Sequence, residues 1–330
     1  MLLNGSDPAA IARAARALAD GELVALPTET VYGLGARADQ DAAVAKIFAA
    51  KGRPSDHPLI VHVLDIADAE AFTTGLPPVA RRLMEAFWPG PLTVIVPRAP
   101  GMAAAAAGGQ DSVGLRCPAH PVARALLAAA RGLGVRGVAA PSANRFGKVS
   151  PTRAAHVLAE FGPELLVLDG GACAVGIESS IVDCSRAHPV LLRPGILTPA
   201  QIEAAAGEPL RAPDAQAPRA SGTLTAHYAP AAVVRLLAGA DLAQALAQRM
   251  GQQQSLAGLA VYSRSLRPVA GPLWRLMPEQ ADAAAHELFA VLRDLDAAGA
   301  REIWIEMPPP DMVWDGVRDR LSRAAAAFAS

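Results

Sequence analysis

The 330 residues are enough for two domains, each burying its own core, and a 52% hydrophobic, 18% charged composition describes a compact folded chain rather than a disordered one. A net charge of −1 with no block of five basic residues argues against binding nucleic acid through a dense cationic footprint, while leaving room for a local basic groove. Cys117, Cys173 and Cys184 are widely spaced and form no C-x-x-C, which argues for reduced thiols in a cytoplasmic protein and against a disulfide framework or a zinc site.

In chain order, no charged segment followed by an apolar one opens the sequence, and no apolar run reaches the ~20 residues of a membrane span. Ser6 or Asp7 can cap a helix opened by Pro8 and closed by Gly21, with Ile11, Ala14, Ala15 and Leu18 on one face. Residues 22–26 read as a strand. A turn holding Thr28, Thr30 and Tyr32 comes next, ahead of two glycines and a helix over 39–50. Further strands are predicted at 59–63, 92–97, 112–115, 135–140, 165–168, 180–183 and 190–193, with helices at 78–87, 121–131 and 152–161. The alanine run 103–107 reads as a mobile loop or loose helix without chemistry. This alternation makes an α/β domain with a twisted mixed sheet. Residues 207–230 are proline-rich and aperiodic, a linker. Strands at 233–237, 256–262, 273–277 and 302–307, with helices at 241–250, 279–298 and 313–328, then form a small doubly wound domain. It has no G-x-G-x-x-G, so dinucleotide binding there is not expected.

Four clusters carry candidate chemistry. Lys51 and Arg53 form a K-x-R pair that, in an extended segment, points both cations at one anion, or else decorates a helix C-terminus. Only three of the 30 basic residues are lysines, which sets Lys51 apart from an arginine-biased background. Ser142 and Asn144, in PSANRFGKVSPT, end the strand predicted at 135–140. They read either as ligand contacts or as turn residues. Arg116, in DSVGLRCPAHP, could hold a carboxylate bidentately. GIESSIVD brings Ser179 and Ser180, and LLRPG brings Arg193; taken singly, these and Arg116 also read as turn serines and surface arginines. All four clusters fall at strand ends of one α/β domain. There is no P-loop, no G-x-S-x-G and no H-E-x-x-H; His120, His156, His188 and His286 read as surface or core histidines.

PTETVYGLG, KGRP…PL, the S-x-N of PSAN, GIESSIVD and LLRPG occur in the order of the YrdC/Sua5 family of L-threonylcarbamoyladenylate synthases, which the sequence resembles over about residues 7–205. The linker and second domain resemble the two-domain Sua5 form. This resemblance implies a YrdC-like catalytic domain over 1–206, with helices and a twisted mixed sheet around a concave site. It further implies a linker over 207–231 acting as an active-site lid, and a Rossmann-like doubly wound domain over 232–330. The activity implied is synthesis of L-threonylcarbamoyl-AMP and pyrophosphate from L-threonine, bicarbonate and ATP with Mg²⁺. The adenylate would pass to a tRNA threonylcarbamoyltransferase complex for N6-threonylcarbamoyladenosine (t6A) at position 37 of ANN-decoding tRNAs, with at most a weak tRNA contact here and no membrane association.

By the same resemblance Lys51 and Arg53 are the catalytic cations, and ATP is bound by Lys51, Arg53, His57, Ser112, Ser142, Asn144, Ser150, Arg193 and His227. Threonine is bound by Thr30, Tyr32, His62, Arg116 and Ser179. No residue is assigned to a metal. Two departures stand out: His57 occupies a place where the family commonly has asparagine, and the linker begins S-G-T-L-T rather than S-P-G-M before its H-Y-A-P. A carbamoyl-adenylate-forming maturation protein is the second enzymatic reading, weakened by the lack of zinc-finger cysteines. An RNA-binding or ribosome-assembly factor is the non-enzymatic one.

Overall fold

The structure, a computed structural model, describes residues 1–328 and divides into two compact units. The first comprises Met1–Phe146 and Ser150–Thr223; the second comprises Gly147–Val149 and the chain from Leu224 onward. Residues 208–223, within the predicted linker, therefore belong to the first unit, and the three-residue loop 147–149 belongs to the second. Among the described residues no helix is long and apolar enough to cross a membrane.

In the first unit β1 (Leu2–Asn4), α1 (Pro8–Ala19), β2 (Val24–Leu26), β3 (Gly33–Arg37), α2 (Asp41–Lys51), β4 (Ile60–His62) and α3 (Ile66–Glu70) come first. They are followed by α4 (Pro78–Phe87), β5 (Leu92–Pro97), β6 (Ser112–Arg116), α5 (Pro121–Arg131), β7 (Val138–Ala139) and α6 (Ala154–Phe161). β8 (Leu166–Asp169), β9 (Ser180–Asp183), β10 (Val190–Arg193) and α7 (Pro199–Ala206) complete it. The strands form one ten-stranded mixed sheet in the order β1-β8-β2-β3-β7-β4-β6-β5-β9-β10. Two apolar clusters, one around Ile47, Leu83 and Val94 and one around Leu18, Leu126 and Val138, build its core.

Local chemistry accounts for the boundaries. Asp7 caps α1 by accepting from Ala9 N (2.9 Å), with Pro8 at its first turn. The two glycines of GLG do not lead straight into a helix; they lie inside β3. A Cβ at Gly35 would stand 2.8 Å from Val138 Cγ1 and 2.9 Å from Leu26 Cδ2, so the strand needs glycine to pack between its neighbours. The strand expected over 135–140 shrinks to two residues. The alanine run is no loose loop: Ala103, Ala106 and Ala107 are buried, and Ala106 O accepts from Leu59 N (2.7 Å), so the run buttresses the segment leading into β4.

The second unit contains β11 (Val233–Leu237), α8 (Gly239–Gly251), β12 (Leu259–Ser263), β13 (Leu273–Leu276), α9 (Ala281–Ala297) and β14 (Glu302–Glu306). A 3₁₀ turn (Met312–Trp314) leads into α10 (Asp315–Ala326). Its four strands are all parallel, in the order β11-β14-β12-β13. Helices α8 and α9 supply the crossovers from β11 to β12 and from β13 to β14, whereas the parallel pair β12–β13 is joined by a helix-free loop.

Candidate active site

Three of the four clusters lie at or near strand ends, but not along one edge of the sheet, and the fourth, Lys51 and Arg53, lies at the C-terminal end of α2 instead. Parallel pairing of β4 with β6 sets His62 beside Arg116, whereas Ser142 bridges Gly33 and belongs at the opposite ends of those strands. The Thr28–Tyr32 loop ties the two groups together. Tyr32 N bonds Pro151 O (2.8 Å) and Tyr32 O accepts from Ala143 N (2.8 Å), while Glu29 Oε1 lies 2.7 Å from Arg116 Nη2. Within the loop, the Thr28 hydroxyl donates to Val31 O (2.6 Å) and lies 2.9 Å from the Thr30 hydroxyl. Tyr32 is wholly buried, and its hydroxyl donates to Gly171 O (2.7 Å) and accepts from Gly170 N (3.2 Å). Burial pushes that hydroxyl's pKa up, so it acts as a neutral donor anchoring the loop that follows β8.

Around Arg116 the site is charged and dry. Arg116 is 3% exposed, and its Nε and Nη2, like Glu29 Oε1, have no aligned hydrogen-bond partner. Glu29 keeps its other carboxylate oxygen on Ala119 N (3.0 Å). Burial opposes the charge on Glu29, but the adjacent Arg116 guanidinium and the backbone N–H groups outweigh it and hold its pKa below the ordinary value. The His62 imidazole is driven down to about 3 by burial and by the Arg116 charge, so it is neutral near pH 7, and its Nδ1 has no hydrogen-bond partner. Ser179 stands just before β9, where its hydroxyl meets that of Thr93 (2.8 Å). Arg193, the last residue of β10, donates to Ser179 O from Nε (3.1 Å) and Nη2 (2.9 Å).

The K-x-R pair is arranged differently from the extended segment expected. Lys51 is the last residue of α2, and Gly52 turns the chain in a left-handed C-cap (φ 62°), so the helix end and its glycine set the directions of the two cations. Lys51 is buried; its Nζ donates to Ser142 O (2.6 Å) and Asn144 O, closing the S-x-N turn around the ammonium group. Burial, reinforced by Arg53, presses the Lys51 pKa well down. Arg53 donates to Pro58 O (2.9 Å) and lies 5.8 Å from the Phe146 ring, whose edge also meets His57 (centroids 5.4 Å apart). Burial and the Arg53 charge hold the His57 pKa down. Ser150 donates to Glu178 Oε1 (2.5 Å), both buried.

Ser112 opens β6 and lines a small pocket with Thr93, Gln110 and the segment Arg219, Ala220 and Ser221. That segment is held down by Gln110, which accepts from Arg219 N (2.7 Å) and donates to Arg219 O (3.1 Å). Arg193 Nη1 donating to Ser221 O (2.8 Å) and the Arg219–Asp56 ion pair (3.0 Å) fix it further. His227 lies in the second unit, 6% exposed, its ring edge-on to Tyr228 (4.2 Å). Tyr228 adopts φ +61°, rare for a bulky residue, with Phe289 and Arg320 against its ring. Sequence reasoning missed Glu29, Thr93, Gln110, Glu178 and Arg219. Glu29 lay inside the quoted PTETVYGLG and Glu178 inside GIESSIVD; an acid within a motif rich in hydroxyls was the available signal. Nothing local marked Gln110 or Arg219.

Two family matches tile this chain: residues 16–195 match the family described as Telomere recombination, and residues 197–326 the family described as Threonylcarbamoyl-AMP synthase, C-terminal domain. The threonylcarbamoyl-AMP synthase of Bacillus subtilis is 39% identical over 98% of this chain and 94% of its own length. The chain belongs to the YrdC/Sua5 family of threonylcarbamoyl-AMP synthases. Another family member, from Pyrococcus abyssi, is 43% identical over 68% of this chain and 67% of its own. The crystal structure of P. abyssi Sua5 complexed with L-threonine matches with a TM-score of 0.89 and 34% identity, covering 99% of this chain and 98% of that one. The two-domain Sua5 architecture thus runs the length of the described chain, and the mixed ten-stranded sheet with its separate parallel four-stranded one is the fold expected of it.

Proposed function

We propose that this protein makes L-threonylcarbamoyl-AMP and pyrophosphate from L-threonine, bicarbonate and ATP. The observation that carries this reading is the coexistence, in one unit, of two differently equipped buried cations. Lys51 is wrapped by the S-x-N turn beside Arg53, a setting suited to phosphates; Arg116 is left with unbonded N–H groups, a setting suited to a carboxylate. The relatives named threonylcarbamoyl-AMP synthase, and the likeness to a Sua5 complexed with L-threonine, support it.

In this reading threonine and bicarbonate condense to the carbamate with loss of water, and a carbamate oxygen attacks the α-phosphorus as pyrophosphate leaves. The protein's part is positioning and charge neutralisation. Arg116, His62, Thr30 and Ser179 hold threonine, and Tyr32 fixes the loop that carries Thr30. Lys51, Arg53, His57, Ser112, Ser142, Asn144, Ser150 and Arg193 contact ATP; His227 belongs to the ATP set only by the family resemblance. Burial and the Arg53 charge lower the Lys51 pKa, and an arriving polyphosphate favours its ammonium form. Mg²⁺ would accompany the ATP phosphates, and no step here is assigned to it. The segment 207–223 serves as a lid on the first unit. The adenylate passes in the cytoplasm to a tRNA threonylcarbamoyltransferase complex for the t6A modification. The maturation-protein reading is not favoured: the three cysteines are separately buried free thiols. Nor does the family assignment favour an RNA-binding or ribosome-assembly factor.

The test is pyrophosphate release by purified protein with ATP, Mg²⁺ and bicarbonate, with and without L-threonine. Release should require threonine, and Lys51→Ala should lower it by about a hundredfold or more. Threonine-independent release, or none from folded protein, would overturn the reading.

A further inference from the structure

We propose that Glu29 selects the amino-acid substrate by holding its α-ammonium group while Arg116 holds its α-carboxylate. The inference rests on the proposed function and names a specificity residue within that site. Glu29 is 8% exposed, and its Oε1 has no hydrogen-bond partner although Arg116 Nη2 is 2.7 Å away. The rest of the residue is pinned: Oε2 accepts from Ala119 N (3.0 Å) and the main-chain oxygen from Val175 N (2.7 Å). The fold, not a flexible side chain, therefore aims Oε1.

Two ions brought into contact in a dry interior normally recover their lost hydration through aligned hydrogen bonds. Here neither does, since Arg116 Nε and Nη2 also lack partners. What the pair leaves unmet is one anionic acceptor beside cationic donors. That is the complement of an α-amino acid, whose ammonium and carboxylate are separated by a single carbon. His62, next to Arg116 in strand register with its Nδ1 unpartnered, supplies a further polar contact without adding charge. The cluster therefore has no net charge and matches a zwitterion. A deaminated acid fills only the Arg116 half and leaves Glu29 buried opposite nothing.

The experiment is calorimetric titration of the full-length protein with L-threonine and with (R)-3-hydroxybutanoate, which keeps the carboxylate, hydroxyl and methyl groups but lacks the amine. The unsubstituted protein should prefer threonine by about a hundredfold, and Glu29→Gln should shrink that preference to within about fivefold, mainly by weakening threonine. ATP affinity, read in the same samples, reports that the variant is folded. If Glu29 only orients Arg116, both ligands weaken together and the preference stays intact, which overturns the inference while leaving the proposed function standing. Should Glu29→Gln fail to fold, Glu29→Asp, which keeps the charge but withdraws it, should cut the preference by about tenfold; an unchanged preference there overturns it equally. An unsubstituted protein that binds no threonine would sink the proposed function and this inference together.

Discussion

Lys51 and Arg116 are equally buried, each 3% exposed, yet they are held in opposite ways. Lys51 is compensated by dipoles: two carbonyl oxygens of the Ser142–Asn144 turn accept from its ammonium. Arg116 is compensated by a full charge, Glu29, at contact distance but without hydrogen-bond alignment. A cation whose donors are satisfied shapes the chain around it, so Lys51 doubles as the clasp of the S-x-N turn. One with idle donors is set for a ligand still to come.

The contrast predicts unequal costs. Arg116→Met strands the Glu29 carboxylate in a dry interior and should lose about 3–5 kcal/mol, whereas adding Glu29→Met should restore most of it, because the second exchange removes the orphaned charge. Lys51→Met leaves carbonyl oxygens without a donor and should cost only about 1–3 kcal/mol. Urea unfolding of the four proteins ranks them. A Lys51 variant as damaged as the Arg116 one, or a double variant no better than Arg116→Met, would break the comparison. Turnover should be lost in all three variants.

The His62 imidazole sharpens the same point through pH. Its pKa is about 3 in the folded chain, against about 6.5 when unfolded. Between those values the unfolded state binds the extra proton, so stability rises with pH there. The contribution is complete above about pH 6.5 and is lost as pH falls toward 3. Each pKa unit corresponds to about 1.4 kcal/mol, so acid should destabilise the protein by a few kcal/mol through this residue. His62→Asn should flatten that part of the stability–pH curve; an unaltered slope would show that His62 is not the group responsible.

How far the sequence disclosed this arrangement depended on the range of the interaction. Elements set by local chemistry were readable to the residue: α4, α5, β5, β9 and β10 begin and end where proline and apolar pattern put them. α7 went unread even though its Thr198–Gln201 capping box, Pro199 and closing Gly207 are all local signals, because eight residues between a strand and a linker show too little periodicity. β3 was missed for the opposite reason. Its glycines look like a turn, and only packing between β2 and the far-off Val138 of β7 shows why a strand needs them. The site divides likewise. Lys51, Ser142 and Arg116 stood out by type and position, whereas Glu29 becomes functional only once folding sets it against a residue 87 positions away.

The smallest effect is expected where the polar contacts face water. Arg219 pairs with Asp56 at 3.0 Å, but the two side chains are 54% and 61% exposed, so the ion pair should contribute at most about 1 kcal/mol. Gln110 grips the Arg219 main chain through both its oxygen and its nitrogen, and that grip is indifferent to the arginine side chain. Arg219→Ala removes the ion pair and the Nη2–Gly108 O bond (3.1 Å), and should raise hydrogen exchange across 211–223 less than loss of the Gln110 grip does. Gln110→Ala removes both clasps and should raise exchange there by about tenfold, since opening the segment no longer breaks two hydrogen bonds worth about 1 kcal/mol each. If the arginine exchange proved the more disruptive, the segment would be held by charge rather than by its backbone, and that hold would weaken with added salt.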